Sequence, residues 1–273
     1  MLDIILEEFH FTSLWNGGIF LFLSFVAIIY LFLLPHDHRH SIWKSISFLC
    51  GLGLLFLAIG SPMNIIGRIA FSTHIMQVVL LLFVVPPLLL VGLKQKAVDQ
   101  FLAINIVKVL LRVVTKPFLI IGLFYMLLYI YHIPAIFDQA RVDLFWNYFY
   151  LFGLFIASLF LWVPIISPNR MRSKQKIVYI VLNILFIIPY CFSLWLINDS
   201  LYLVYTDMTS IISSMELCLP PGETLTPDYI QLLLPFDPIM EQKQGGGILF
   251  GLHFLIFISA MTYQIIRKGK NNL

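Results

Sequence analysis

Charge is scarce in this sequence. Only 11% of its 273 residues are Asp, Glu, Lys or Arg, while 60% are hydrophobic. Soluble domains carry about 25% charged residues, so a chain this apolar cannot clothe itself for water, and lipid is its simplest solvent. Cysteine is scarce too: Cys50, Cys191 and Cys218 share no C-x-x-C spacing and supply no disulfide framework. The stretch Met1–Trp15 contains Asp3, Glu7 and Glu8 but neither Lys nor Arg, the reverse of a secretory leader's basic start, so the apolar run behind it is expected as a retained helix. Walker A, G-x-S-x-G, H-E-x-x-H and dinucleotide fingerprints are missing. No Lys, Arg, Asp or Glu falls at a span centre, which argues against a carboxylate proton relay. A net charge of +3 gives no reason to expect a nucleic-acid partner.

What the sequence has is long apolar runs. A spanning helix needs about 20 mostly apolar residues. Seven segments are expected to span: Gly17–Leu34, Ile46–Gly60, Ala70–Leu93, Pro117–Phe137, Leu144–Ile166, Ile177–Ile197 and Gly247–Ile266. The fold class is therefore all-α, a polytopic helix bundle forming one integral membrane domain. Two connections are long. Residues 94–116 mix charges with Phe101, Leu102, Ile104, Ile106, Val107, Leu110 and Leu111, as an amphipathic helix in the membrane interface would. Residues 198–246 are polar, acidic and proline-punctuated, and form the expected outer loop.

Basic residues set the expected orientation. Fourteen Lys and Arg fall in alternate loops, and only Arg68, Arg141 and Lys243 fall on the opposite side. By the positive-inside rule the C-terminus is then cytoplasmic and the N-terminus outside. The strict alternation also favours an odd number of helices.

Ionisable and soft-donor residues within spans are the candidates for function, because burying them in lipid is costly. His74, His132 and His253 are the three histidines within spans, each five or six residues from the outer end. At 1.5 Å per residue all three lie roughly 7–9 Å deep. Cys191 lies at a similar depth, and Met76 is half a turn from His74 on another side. Imidazole with sulfur donors suits copper, especially Cu(I), and a pair of facing histidines would also ligate haem iron. Against this, a histidine near a helix end can simply hydrogen-bond a neighbour, and a free cysteine packs as a small hydrophobe. Met208, Met215, Cys218 and Met240 offer further sulfur in the outer loop, without a compact motif. The run His36-Asp37-His38-Arg39-His40 reads as a solvated loop beside headgroups. Pro86-Pro87 should kink the third span, and Gly245-Gly246-Gly247 should open the seventh with close or flexible backbone.

Taken in order, these segments resemble the polytopic cytochrome c oxidase assembly factor family CtaG. Gly60-Ser61-Pro62 stands for that family's "GSP" turn, and Phe71-Ser72-Thr73-His74-Ile75-Met76-Gln77 for its "FSxHMxQ" segment. Pro86-Pro87-Leu88-Leu89-Leu90 matches "PPLLL", Tyr131–Asp138 matches "YHxPxxxD", and Trp162-Val163-Pro164 matches "WxP". Glu241-Gln242 with Gly245-Gly246 matches "DQxxGG", and Phe9–Asn16 resembles the opening "FxFxxLW". The order runs over nearly the whole chain. The sequence departs from the family pattern at Val78, where some members carry a second histidine, and around Asn147 and Tyr148, where many have one. His74 and His132 match motif positions; His253 rests on depth alone.

The resemblance implies a non-enzymatic factor in the bacterial plasma membrane that assembles a haem–copper oxidase, with oxidase subunits as partners and copper handled near the outer face. Three other readings stay open: a copper transporter, a haem-binding membrane protein and a ligand-free assembly scaffold.

Overall fold

The computed structural model describes residues 9–35, 40–106, 116–167, 170–219, 224–228, 230 and 237–270. His36, Asp37, His38 and Arg39 fall outside the described residues, as do residues 107–115 of the expected interfacial helix. Among the described residues every regular element is helical. In chain order these are α1 (Phe11–Leu14), α2 (Gly17–Leu33), α3 (Ile42–Gly60), α4 (Met63–Ile69), α5 (Phe71–Gly92), α6 (Gln95–Leu102), α7 (Pro117–Tyr131), α8 (Pro134–Val142), α9 (Leu144–Ile166), α10 (Ser173–Leu196), α11 (Met208–Glu216) and α12 (Pro238–Lys270). A one-turn 3₁₀ helix, Leu203–Tyr205, precedes α11.

Five helices, α3, α5, α9, α10 and α12, are long and apolar enough to cross a membrane, and α7 with α8 makes a sixth if that bent pair is one span. Five or six of the seven expected spans thus have a helix, or bent pair, of sufficient length among the described residues. The first, α2, is apolar but stops at 17 residues and ends in a π-helical turn, Ile29–Leu33. Its side chains Phe20, Leu21, Phe22, Phe25 and Phe32 are exposed, an apolar surface that water would not tolerate and lipid covers. The described part of residues 94–116 holds α6, which buries none of its residues.

The centre of the bundle is α5, half of whose most apolar window is buried, against 17–39% in the other four long spans. It packs on α3, α9 and α12, while α10 lies along α12 and α7 along α9. The proline pair does not break α5. A π-helical turn, Leu80–Val84, widens the helix just before Pro86 and Pro87. Proline has no N–H to give the carbonyl four residues back, which for Pro86 is that of Leu82. Two groups on α9 take up this carbonyl instead: Ser158 Oγ through a short bond, and Trp162 Nε1 at 3.3 Å. The tryptophan of the W-V-P segment therefore repairs a defect made by the P-P segment.

Two boundaries differ from expectation. The fourth expected span, Pro117–Phe137, breaks at Tyr131, and α8 leaves at 72° to α7. Pro134 forces this, because it disfavours helical backbone at the preceding residue; Ile133 is extended at φ −63°, ψ 127°. The last span starts at Pro238, not Gly247, so the three glycines lie within α12 instead of opening it. A Cβ on Gly245 would lie 2.8 Å from the Phe71 ring, and one on Gly246 would lie 3.1 Å from Leu194 Cβ. The glycines serve close helix packing.

Candidate functional site

The break between α7 and α8 builds the site. His132 is the residue after α7, with φ −94° and ψ 9°, so it sits at a corner rather than inside a span. Its imidazole meets that of His74, from the first turn of α5, with centroids 6.1 Å apart. Phe137 of α8 lies against both rings, 5.1 Å from His74 and 5.8 Å from His132. Tyr131 and Tyr190 close the sides, and Phe71 lies 6.2 Å from His74. His74 is 2% exposed and His132 5%.

Their hydrogen bonds define which nitrogens are free. His132 Nδ1 is 2.8 Å from the Leu128 carbonyl, which can only accept, so Nδ1 carries the proton. In the neutral ring Nε2 then bears a lone pair, and it has no partner. Neither nitrogen of His74 has a partner. Unpaired buried polar atoms are rare because each forfeits its hydration. Here three such nitrogens belong to two adjoining rings.

His253 is not part of this pair. Its ring contacts are Phe83 and Phe257, and its Nε2 meets the Tyr125 hydroxyl at 3.1 Å. That hydroxyl also donates to the Asn183 carbonyl at 2.8 Å, which makes His253 part of a polar link through the core. Equal depth from the helix ends did not mean adjacency, because the His253 ring faces α5 and α7 further along their length. Cys191 is fully buried in the main core cluster, and Met76 is half-buried. Met215 packs in a separate cap cluster with Ile65, Ile69 and Ile211, while Met240 is exposed. Among the described residues no three His, Cys, Asp or Glu side chains come together as a metal-ligand group.

A cap over the histidine pair is formed by α4, α8, the 3₁₀ turn and α11. Asp138 holds the 3₁₀ turn: its two carboxylate oxygens accept the backbone N–H groups of Leu203 and Val204, each at 3.1 Å. The turn in turn presents Tyr202, whose hydroxyl donates to the His132 carbonyl at 3.2 Å, and whose ring lies 4.4 Å from that of Phe137. Glu241 accepts the Ser72 N–H at 3.0 Å, and Gln242 accepts the Leu201 N–H at 2.9 Å. The Y-H-x-P segment and the E-Q-x-x-G-G segment are thus joined: one supplies a site ring and its corner, and the other ties down the two chain ends beside it.

The residues that sequence reasoning passed over are Arg68 and Arg141. Both are 2% exposed. Arg68 Nη1 donates to the carbonyls of Arg141 and Ser214, at 2.8 and 2.7 Å, and Arg141 Nη2 donates to that of Gly67 at 2.7 Å. Both lie within electrostatic reach of His74. The available signal was their position in the charge map, as two of the three basic residues on the sparsely charged side.

The model of the cytochrome c oxidase caa3 assembly factor family (Caa3_CtaG) matches residues 24–268. This chain belongs to the Caa3_CtaG family. No curated protein and no solved structure matches it. In this Caa3_CtaG chain, then, the F-S-x-H and Y-H-x-P segments meet at His74 and His132 and the E-Q-x-x-G-G segment packs beside them, while the P-P and W-V-P segments meet each other at Leu82.

Proposed function

We propose that this chain serves the assembly of a caa3-type cytochrome c oxidase in a bacterial plasma membrane, and that it holds copper as cargo between His74 and His132. Family membership supports the assembly role. The observation that supports copper is the pair of adjoining, buried imidazoles with three unpartnered nitrogens. Metal–imidazole bonds run to roughly 2 Å, so one ion bridging two rings would hold their centroids at about the observed separation. Imidazole nitrogen suits copper, and a two-nitrogen site without a carboxylate binds loosely enough to release its ion. Tyr202 covers the pair, so transfer to an oxidase subunit would begin with movement of the 3₁₀ turn.

The accompanying topology is seven spans with the N-terminus outside, α2 and the bent pair α7–α8 each counting as one. The charge asymmetry supports it, and it places His74 and His132 near the outer face. The outer loop 198–246, whose described residues 202–216 contribute to the cap, is then the surface that meets the oxidase.

A ligand-free scaffold is the second reading, favoured by the lack, among the described residues, of a third metal-binding side chain at the pair. Metal content and optical absorption of the purified protein separate the two. Copper near stoichiometry, lost in the His74→Ala/His132→Ala double variant and accompanied by no Soret band, supports the cargo reading. A copper-supplemented, reduced preparation with neither metal nor chromophore overturns it in favour of the scaffold.

A further inference from the structure

Among the described residues the two buried arginines have no counter-charge. Three hydrogen bonds run from the pair to backbone carbonyls, Arg141 also lies beside the Tyr131 hydroxyl, and both Nε atoms are unpartnered. Among the described residues the groups that act electrostatically on Arg68 are Arg141, Cys218, Tyr205 and Tyr131, none of them a carboxylate. Burying one cation without an acid costs several kcal/mol, and here two lie together. Burial and the Arg141 charge both push the Arg68 pKa down, yet a guanidinium stays protonated at any physiological pH. Among the described residues, then, no side chain supplies a compensating anion.

The place for it is a cavity of about 120 Å³ between α1, the end of α3, α4, the start of α9 and the residues that follow α11. Arg68, Thr12, Ser13, Asn64, Tyr148 and Cys218 are among its lining residues. Hydroxyl, amide and guanidinium donors around such a space suit a tetrahedral oxyanion, which takes several charge-assisted hydrogen bonds at once. Its surroundings name the source. Leu144 and Tyr148, both on the cavity wall, are exposed, as are the nearby Phe11, Phe145 and Phe149. Exposed Tyr and Trp at helix ends, here Tyr148 and Trp146, mark the headgroup level of a bilayer, and the exposed Phe side chains face its apolar part.

We propose that this cavity binds the phosphate of an anionic phospholipid headgroup, with Arg68 as its principal contact and Arg141 adding charge from behind. The site is distinct from the histidine pair, and the bound lipid neutralises the arginine pair that joins α4 to α8 and α11. Lipid would thereby stabilise the cap over His74 and His132.

Cys218 gives a direct readout, because it lines the cavity and is half-buried, while Cys50 is exposed and serves as an internal control. The full chain in uncharged detergent is labelled with a maleimide, and the rate at each cysteine is read by peptide mass. Dihexanoyl-phosphatidylglycerol should slow labelling of Cys218 and leave Cys50 unchanged, relative to chloride at equal ionic strength. Arg68→Gln should raise the concentration needed by roughly tenfold or more, as expected for losing a charged hydrogen bond. Asn64→Leu narrows the cavity and removes an amide donor without touching the arginine bonds to backbone. Because Asn64 Nδ2 lies 3.9 Å from Cys218 Sγ, protection is read as the ratio of rates with and without lipid in the same variant, and it should be lost even if Arg68→Gln folds poorly. Protection by inorganic phosphate at the same concentrations would keep the oxyanion site and overturn the lipid source. Protection by neither probe, or undiminished protection in Asn64→Leu, would overturn the site.

Discussion

The carboxylate of Glu241, on α12, accepts the backbone N–H of Ser72, in the first turn of α5, at 3.0 Å. The residue that would normally cap this helix is Ala70, which has no side-chain acceptor. The cap is therefore supplied from 169 residues away in sequence, and an acidic group at a helix N-terminus also opposes the helix dipole favourably. Losing such an acceptor typically costs about 1 kcal/mol. Glu241→Ala should lower the thermal unfolding midpoint in detergent measurably, and Glu241→Gln, which keeps an acceptor oxygen, should lower it less. Equal midpoints for both variants and the parent would show that Ser72 finds another acceptor.

The bond from Ser158 to the Leu82 carbonyl should matter because Pro86 cannot serve that carbonyl. Ser158→Ala should cost about 1 kcal/mol in the parent, the usual scale for a polar contact inside a bundle. In a Pro86→Ala background, where a helical donor returns, the same change should cost less. A double-mutant cycle of unfolding free energies reads the coupling directly; additivity would mean that the serine does not act on the proline defect.

Gly92 allows α3 and α5 to touch. A Cβ there would lie 2.7 Å from both the Lys44 carbonyl and the Phe48 nitrogen, which are backbone atoms that cannot step aside. Gly92→Ala should therefore destabilise by about 1–3 kcal/mol, the range for overpacking. Gly122 has nothing within 4 Å of its would-be Cβ, so Gly122→Ala should be neutral or gain up to about 1 kcal/mol from helix propensity. Comparing the two unfolding midpoints in one detergent checks both.

Asp207 caps α11, accepting from the N–H and the hydroxyl of Ser210 at 2.9 and 2.8 Å. These bonds hold its carboxyl below the usual range. A lowered folded value means that the cap is at full strength above the unfolded Asp value of about 3.9. It is lost as pH falls through the folded value. Protection of the Ser210 amide from hydrogen exchange, corrected for intrinsic rates, should drop across that acidic window. In Asp207→Asn, which caps without a charge, protection should not change with pH there. A pH-dependent asparagine variant would assign the titration to another group.

Several levels of this protein were legible in one dimension. Apolar runs fix where helices form, because in lipid the backbone must satisfy itself, and the Leu144–Ile166 helix falls where its run does. His74 and His132 stand out as polar groups in apolar segments, but the corner at His132 did not, because the apolar run continues through Pro134 to Phe137. The opening of α12 was misplaced because Asp237–Gly247 is polar and glycine-rich by composition. It is helical because Glu241 and Gln242 bind the ends of neighbouring helices and the glycines let α12 pack against Phe71 and Leu194.

The sequence alone determined the class of solvent, the family and the approximate helices, since these depend on local composition and ordered motifs. Only the tertiary structure decided which polar groups meet. It pairs His74 with His132 and leaves His253 with Tyr125, because the bend at Pro134 turns one ring toward α5 while α12 carries the other elsewhere. It also brings Arg68 beside Arg141, 73 positions apart, where a linear reading records two ordinary positive charges. Contact between side chains depends on how helices pack and where they bend, and no single segment contains that information.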